Sequence, residues 1–178
     1  MFQKVWYLIF MLLGAAQAVA EDAPLMQQSP PPRNLEDFTL PGGRLEAVYI
    51  TKNSVSLINL DRTVKQGSVV WSEVFIVVDP GFKLGERIAT QVILKEEFDC
   101  KVRTVHTLAA KSFDNRNNLL MWYLGDPPHK TVKNSADDFI SQILCGQAKL
   151  SKKFIYVGHA AAVKAAQAAI RAAPKSAK

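Results

Sequence analysis

Apolar and polar positions alternate along the middle of the chain, from Arg44 to Leu124, in short runs that turn residues separate. Runs rich in β-branched and aromatic residues with this spacing are typical of antiparallel strands joined by hairpins. We predict about six strands, at 45–50, 54–60, 68–79, 88–94, 98–108 and 119–124. The third strand carries apolar residues on both sides, so we expect it at the centre of the sheet, covered on both faces.

Local signals mark the connections and the faces of the later strands. Pro80-Gly81 and Gly85 predict a loop between the third and fourth strands, because proline and glycine interrupt strand pairing. In the fifth strand, alternation predicts that Phe98, Cys100 and Val102 share one face.

One helix is predicted after the last strand. Ser135, followed three residues later by Asp138, is an N-terminal capping signature that predicts a helix from Ala136 to about Cys145. Gly146 suits a left-handed cap at its end. The apolar residues of this helix lie along one stripe: Phe139, Ile140, Ile143 and Leu144. We therefore predict an α+β fold, in which about six antiparallel strands form a sheet and one C-terminal helix packs on a face.

The two ends of the chain differ from this middle. Residues 1–20 combine Lys4, a short apolar run and a final Ala18-Val19-Ala20, as in a secretory signal peptide that is cleaved before Glu21. The apolar run is too short to span a bilayer, and no later segment is apolar enough, so we expect no transmembrane segment after cleavage. We predict a Pro-rich linker at 21–43, a folded domain at 44–148 and a basic, Ala-rich tail at 149–178.

Positive charge is concentrated in the tail. The chain has 22 Lys and Arg against 16 Asp and Glu, a formal net charge of +6 at pH 7, and its acidic residues all precede Phe139. The Ala-rich part favours helix but offers little apolar surface to bury, so we expect a solvated helix or a frayed tail. The alternative is electrostatic binding to an anionic partner such as a membrane surface or an envelope polymer. We expect no specific nucleic-acid partner.

Known catalytic and metal-binding motifs are absent from the sequence. The histidines His106, His129 and His159 are isolated and lack the spacing of a metal site. There is no nucleophile elbow and no phosphate-binding glycine loop. Trp71 and Trp122 are interpreted as core or sheet-face residues rather than ligand platforms. We therefore predict no catalytic residue, no metal site and no cofactor, and a protein that is not an enzyme.

An acidic cluster just before Cys100 is the one region of the sequence that supports the alternative hypothesis of an enzyme. Glu96, Glu97 and Asp99 lie at a strand junction, where only alternate residues can converge. We interpret them as solvated turn charges. The alternative is an enzyme whose site assembles from scattered residues, with these carboxylates and His106 among them.

The chain contains two cysteines, Cys100 and Cys145, both in the predicted domain. In an exported protein a disulfide between them is the expected state, with intermolecular pairing and a free thiol as the alternatives. On an ideal helix Cys145 would point almost opposite the apolar stripe. We therefore expect the helix to end just before Cys145, which frees this residue to turn toward the sheet.

The middle of the chain resembles a known family. The stretch from Tyr49 to Leu60, Val69-Val70-Trp71, Phe98-Asp99-Cys100 and a C-terminal helix with Cys145 resemble the surface-adhesin protein E-like family of Gram-negative bacteria. The resemblance implies a six-stranded antiparallel sheet with a helix packed on it, a disulfide joining Cys100 to Cys145, and the capacity to form a homodimer. Family members include an adhesin that binds host matrix and serum proteins.

Together these observations predict an exported, non-enzymatic envelope or surface protein that acts as a binding module, adhesin-like by resemblance. We expect it in the periplasm or on the outer surface of a Gram-negative bacterium. The expected partner is a protein or an envelope polymer, with host matrix or serum proteins implied by the resemblance. An exposed sheet edge would allow strand addition by a partner or by a second copy. The sequence does not identify the ligand-binding residues.

Overall fold

The computed structural model of the protein describes residues 39–150 and 154–173. The predicted signal peptide at 1–20 and most of the predicted linker at 21–43 lie outside the described residues. Within the described part, no helix has the length and apolar character needed to cross a membrane.

Nine strands form a single antiparallel sheet in the described part of the chain. They are β1 Arg44–Ile50, β2 Ser54–Asn59, β3 Val64–Gln66, β4 Val69–Leu84, β5 Arg87–Asp99, β6 Thr104–Phe113, β7 Leu119–Leu124, β8 His129–Lys130 and β9 Ile155–Val157. A single turn of 3₁₀-helix at Leu60–Arg62 follows β2. The strand order is β7-β6-β5-β4-β2-β1-β9, while β3 pairs with β4 and β8 with β6.

The strand count corrects the prediction of about six strands. The additional strands, β3, β8 and β9, contain only two or three residues each, which is too short for an alternating pattern to be recognised. The predicted strands at 45–50, 54–60 and 119–124 agree with β1, β2 and β7 to within one residue. The long central strand is also confirmed as β4, which pairs with β2 and β3 on one side and with β5 on the other.

The predicted loop at Pro80-Gly81 is wrong, because β4 continues through it to Leu84. The pairing register between β4 and β5 shifts between Val77 and Phe82, so this segment is accommodated as an irregularity within the ladder. Gly81 has a φ of +96°, and a Cβ atom there would lie 2.6 Å from the carbonyl oxygen of Ala89. Glycine is therefore required by the close approach of β5.

The predicted strand at 98–108 is also wrong, because the chain turns between β5 and β6. Asp99 accepts hydrogen bonds on Oδ1 from the backbone N–H of Lys101 at 2.8 Å and of Val102 at 3.3 Å. Arg103 closes the turn in the left-handed region, with a φ of +59°. Phe98 is buried, whereas Val102 is exposed, so the alternation across the turn does not describe one face.

Two α-helices of the described residues lie on opposite faces of the sheet. Helix α1, Ala136–Leu144, packs Ile140 against a core that contains Val74 and Phe98. Helix α2, His159–Ala172, packs against a second core that contains Phe75. Val74 and Phe75 are adjacent on β4, so they point to opposite faces, and the sheet is the middle layer of three.

Helix α1 begins and ends as the sequence predicts. The backbone N–H of Asp138 donates to Ser135 Oγ at 3.2 Å, which is the predicted cap. The helix ends at Leu144, Cys145 follows as the C-terminal cap, and Gly146 has a φ of +77°. Cys145 is joined by a disulfide to Cys100 in the β5–β6 turn, with a Cα–Cα distance of 5.5 Å. The turn and the end of α1 are thereby fixed to each other.

The Ala-rich segment differs from the expected solvated or frayed tail. Ala162, Ala166 and Ile170 recur every four residues along α2 and are all buried against the sheet. Alanine side chains bury little area each, but they let the helix approach the sheet closely, so that larger sheet residues fill the interface. The preceding strand β9 pairs with β1, which extends the sheet by one strand.

Candidate functional site

Strand β7 is an open edge of the sheet. It pairs with β6 along one side, and no described strand pairs with its other side. An edge strand of six residues presents unpaired N–H and C=O groups that can template another strand. The opposite edge is formed by β9, which has three residues. Strand β7 is therefore the longer of the two free edges.

Large apolar side chains line this edge on one face. Leu119, Trp122 and Leu124 are 47%, 44% and 61% exposed. They lie opposite Phe113, Lys111 and Ala109 of β6, respectively, which places all three on the face that carries α2. We refer to Leu119, Trp122 and Leu124 as the edge surface. Trp71 is a core residue as predicted, whereas Trp122 is a sheet-face residue at the exposed edge.

The backbone direction of β7 follows from a hydrogen bond at its end. The N–H of Gly125 donates to the carbonyl oxygen of Leu108 at 2.9 Å, so Gly125 points its backbone groups toward β6. In an antiparallel ladder these groups alternate between the two sides of a strand. The backbone groups of Trp122 and Leu124 therefore point outward, where an added strand would bind. Gly125 is required here, because a Cβ atom would lie 1.4 Å from the carbonyl oxygen of Thr107.

A group of ionisable side chains, two of them buried, lies behind this edge on the face that carries α1. Glu96 of β5 is only 2% exposed. Its Oε1 accepts a long hydrogen bond of 3.4 Å from Thr107 Oγ1, while no described residue forms a hydrogen bond with Oε2. Burial, and then the nearby negative charge of Asp137, raises the pKa of Glu96 well above its ordinary value. The protonated form of Glu96 is therefore favoured.

The ionisable neighbours of Glu96 are Asp137 of α1 and Tyr123 of β7, and Asp137 in turn contacts His129 of β8. Asp137, in the first turn of α1, is buried, and its Oδ2 lies 3.3 Å from His129 Nε2 of β8. The hydrogen bond to Asp137 is the largest contribution that raises the pKa of His129. Tyr123 of β7 has its pKa raised to about 12, first by burial and then by the charges of Asp126 and Glu96. We call Glu96, Asp137, His129 and Tyr123 the acid cluster.

The structure corrects the interpretation of Glu96 and Glu97 as solvated turn charges, whereas Asp99 does lie at a turn. Glu96 is buried, Glu97 Oε2 accepts a hydrogen bond of 2.8 Å from Trp71 Nε1, and Asp99 caps the β5–β6 turn. His106 lies opposite Glu97 on β6 and Thr107 opposite Glu96. Because neighbours along a strand point to opposite faces, Glu96 is separated from Glu97 and His106. The predicted cluster is thus not brought together as one site.

The contact between Asp137 and His129 is not identified by sequence reasoning. In the sequence His129 is an isolated histidine, and Asp137 lies between Ser135 and the end of the helix cap at Asp138. Their contact, and the place of Asp137 near Glu96, depend on where α1 and β8 dock on the sheet, and no local pattern encodes that. Within residues 39–150 and 154–173, no group of three or more His, Cys, Asp or Glu side chains is arranged to hold a metal ion.

The fold and the site define an antiparallel sheet with a helix on each face and an apolar strand at one open edge. No protein-family model matches the chain, and no curated protein matches it. Among solved structures, the chain is similar to Haemophilus influenzae protein E. For its crystal form II the TM-score is 0.44 at 11% sequence identity, covering 59% of this chain and 88% of that chain. A second structure of the same protein gives a TM-score of 0.42 at 12% identity, covering 63% of this chain and 89% of that chain.

Proposed function

We propose that this chain is an exported, non-enzymatic binding module that adds an extended segment of a partner protein to strand β7. The observation that supports the proposal is the edge surface, where exposed apolar side chains lie beside outward-pointing backbone groups. Strand addition uses the backbone for affinity and alternate side chains for specificity. The expected partner segment is extended, with apolar side chains at alternate positions.

Trp122 is the expected anchor of this interaction. Tryptophan is enriched among the residues that dominate binding energy at protein interfaces. It is flanked on the same face by Leu119 and Leu124, which would exclude water around it. Loss of such an anchor costs about 2 kcal/mol or more, which corresponds to about a thirtyfold weaker affinity.

The proposal that this protein is not an enzyme rests on the contacts and burial of the candidate acidic side chains. Glu97 bonds Trp71, Asp99 caps a turn, and Glu96 is buried. A general acid or base must reach its substrate within hydrogen-bond distance. Rapid, substrate-specific hydrolysis of an envelope polymer by the purified protein would contradict this part.

The binding experiment uses residues 21–178 and the double substitution Trp122→Ser with Leu124→Ser. Purified host matrix proteins, serum proteins and peptidoglycan are immobilised, and binding is measured by surface plasmon resonance. The matched control is Val157→Ser, which removes an exposed apolar residue from the opposite edge, where Val157 is 73% exposed. We expect the double variant to lose at least thirtyfold in affinity and the control to bind as the unmodified protein does.

A second variant separates backbone addition from simple apolar contact. Leu124→Pro removes one outward N–H without removing a hydrogen bond to β6, which edge strands tolerate. We expect this variant to keep its fold and to lose binding. Binding to a protein partner that survives both β7 variants would refute the assignment to this edge, and self-association that they abolish would identify a second copy as the partner.

The location of the protein in the cell determines which partners it can bind. Protease treatment of intact cells, compared with cells whose outer membrane has been permeabilised, tests it directly. Degradation in intact cells would indicate surface display and direct the search to host matrix and serum proteins. Protection until permeabilisation would indicate the periplasm, contradict the adhesin-like role, and direct the search to envelope partners.

A further inference from the structure

Strand β8 continues the edge that β7 begins, but it is held weakly. It has two residues and pairs with β6 through Thr104 with Lys130 and Val105 with His129. One more backbone hydrogen bond follows, from the N–H of Thr131 to the carbonyl oxygen of Arg103 at 3.1 Å. Such a short ladder has little stability of its own, so its position depends on side-chain contacts.

The contact that holds β8 from the side is the one between His129 and Asp137. It joins β8 to the first turn of α1, where the charge of Asp137 acts on Glu96. Glu96 is buried and one of its carboxyl oxygens has no hydrogen-bond partner among the described residues, an arrangement that is costly for a charged carboxylate and milder for a neutral acid. The geometry is therefore suited to one protonation state of the acid cluster.

The net charge of the acid cluster depends on the protons of His129 and Glu96. Protonation of His129 places a positive charge 3.3 Å from Asp137, and protonation of Glu96 leaves its buried carboxyl group neutral. Loss of both protons removes that positive charge and adds a negative charge in a buried space. Both proton losses act in the same direction, since each removes an attraction or adds a repulsion.

The other groups that face the cluster do not offset this change. Tyr123 of β7 stays neutral, and Asp126 in the β7–β8 connection adds a further negative charge. Arg103 of the β5–β6 turn carries a positive charge, and it is bonded to Asp138 at 2.8 Å. Thr107 of β6 contributes only a neutral hydroxyl.

We propose that the acid cluster is a proton-controlled latch, which holds β8 on β6 when protonated and releases it when Glu96 and His129 lose their protons. Release removes β8 from the edge that it shares with β7 and so shortens the free edge that a partner strand can use. This role rests on the proposed function for its purpose, but the release itself is a property of the free protein. The latch therefore regulates how much of the edge is available.

The test is amide hydrogen exchange of residues 21–178 between pH 6 and pH 9, measured by mass spectrometry and corrected for intrinsic exchange rates. For opening linked to the loss of one proton, the open population rises about tenfold per pH unit while the group titrates. We expect this increase in peptides that contain Lys130 and Thr131, while peptides from the centre of β4 stay protected.

The variant Glu96→Gln keeps the shape of the side chain but cannot ionise, so we expect it to suppress most of the increase in exchange. Glu97→Gln is the matched control, because it makes the same chemical change one residue away on the opposite face. If Glu96→Gln does not fold, Asp137→Asn removes the repulsion from the other side and is expected to reduce the pH dependence too. Unchanged protection in the unmodified protein, or equal suppression by Glu97→Gln, would overturn the latch.

The latch and the proposed function can fail separately. In one outcome, hydrogen exchange in β8 depends on pH as expected, but the β7 variants bind partners as the unmodified protein does. This outcome would leave the latch intact and refute the binding edge. Partner binding that depends on Trp122 and Leu124, with no pH-dependent exchange in β8, would do the reverse.

Discussion

The disulfide between Cys100 and Cys145 gives the most direct quantitative prediction for stability. The two residues are 45 positions apart. In the chain-entropy treatment, closing a loop of this length removes conformational freedom from the unfolded chain worth about 4 kcal/mol at 25 °C. The double variant Cys100→Ala with Cys145→Ala should therefore lower the free energy of unfolding by about 4 kcal/mol.

We expect this double variant to remain folded. Both cysteines are only half-buried, so alanine leaves a small void. Helix α1 is still held by the buried side chain of Ile140 and by the stack of Phe139 on Tyr49, whose ring centroids are 5.3 Å apart. Domains of this size have unfolding free energies of about 5–15 kcal/mol, so most molecules of the double variant remain folded after a loss of this magnitude.

Urea denaturation followed by tryptophan fluorescence measures the effect. Trp71 is buried in the native state and reports on unfolding of the sheet. With a denaturant slope of about 2 kcal/mol/M, the midpoint should fall by about 2 M. The unmodified protein under reducing conditions is the control and should match the double variant. A loss below about 1 kcal/mol in both experiments would refute the loop-closure reasoning.

Three further changes test other parts of the structure. Gly125→Ala places a Cβ atom against the carbonyl oxygen of Thr107, so we expect β7 to lose protection from hydrogen exchange. Gly42 has open space around it, so the control Gly42→Ala should not change hydrogen exchange in β7. Ile170→Ala removes the largest buried side chain of α2 and should lower the free energy of unfolding by about 2–4 kcal/mol in urea denaturation; a cost below 1 kcal/mol would mean that α2 contributes little to the fold. Burial lowers the pKa of His159 in the folded protein below its ordinary value near 6.5. The stability that neutral His159 provides is therefore present above that ordinary pKa and is lost as the pH falls through the lowered pKa of the folded protein. We therefore expect His159→Gln to lose less stability than the unmodified protein between pH 7 and pH 5, as measured by thermal unfolding at each pH, and equal losses would contradict this cause.

Much of the sheet could be predicted because its signals are local. Alternation and turn residues locate β1, β2 and β7, and the cap at Ser135 locates the start of α1. The prediction failed where a local signal had two meanings. Alternation continued through 98–103 although Asp99 caps a turn there, and Pro80-Gly81 indicated a loop although β4 passes through it.

The candidate site was less accessible to sequence reasoning, for two physical reasons. Glu96 is buried beside Thr107 of β6 and near Asp137 of α1, and these residues are far from it in the chain. Trp122 and Leu124 are exposed because β7 lies at an edge, and an edge strand has the same alternation as a central one. Helix α2 was undervalued because alanine adds little hydrophobicity, although its small size permits close packing.

The pairing of β9 with β1 also determines how the domain can be tethered. The backbone N–H of Gly158 donates to the carbonyl oxygen of Gly43 at 2.8 Å, so the start of the sheet lies beside the segment that leads into α2. Six strand spacings separate β9 from β7, a distance of about 29 Å across the sheet. An attachment through residues that precede β1 would therefore hold the domain from the side opposite β7. The edge at β7 would then face away from the surface to which the domain is anchored, and most of the width of the sheet would separate the two.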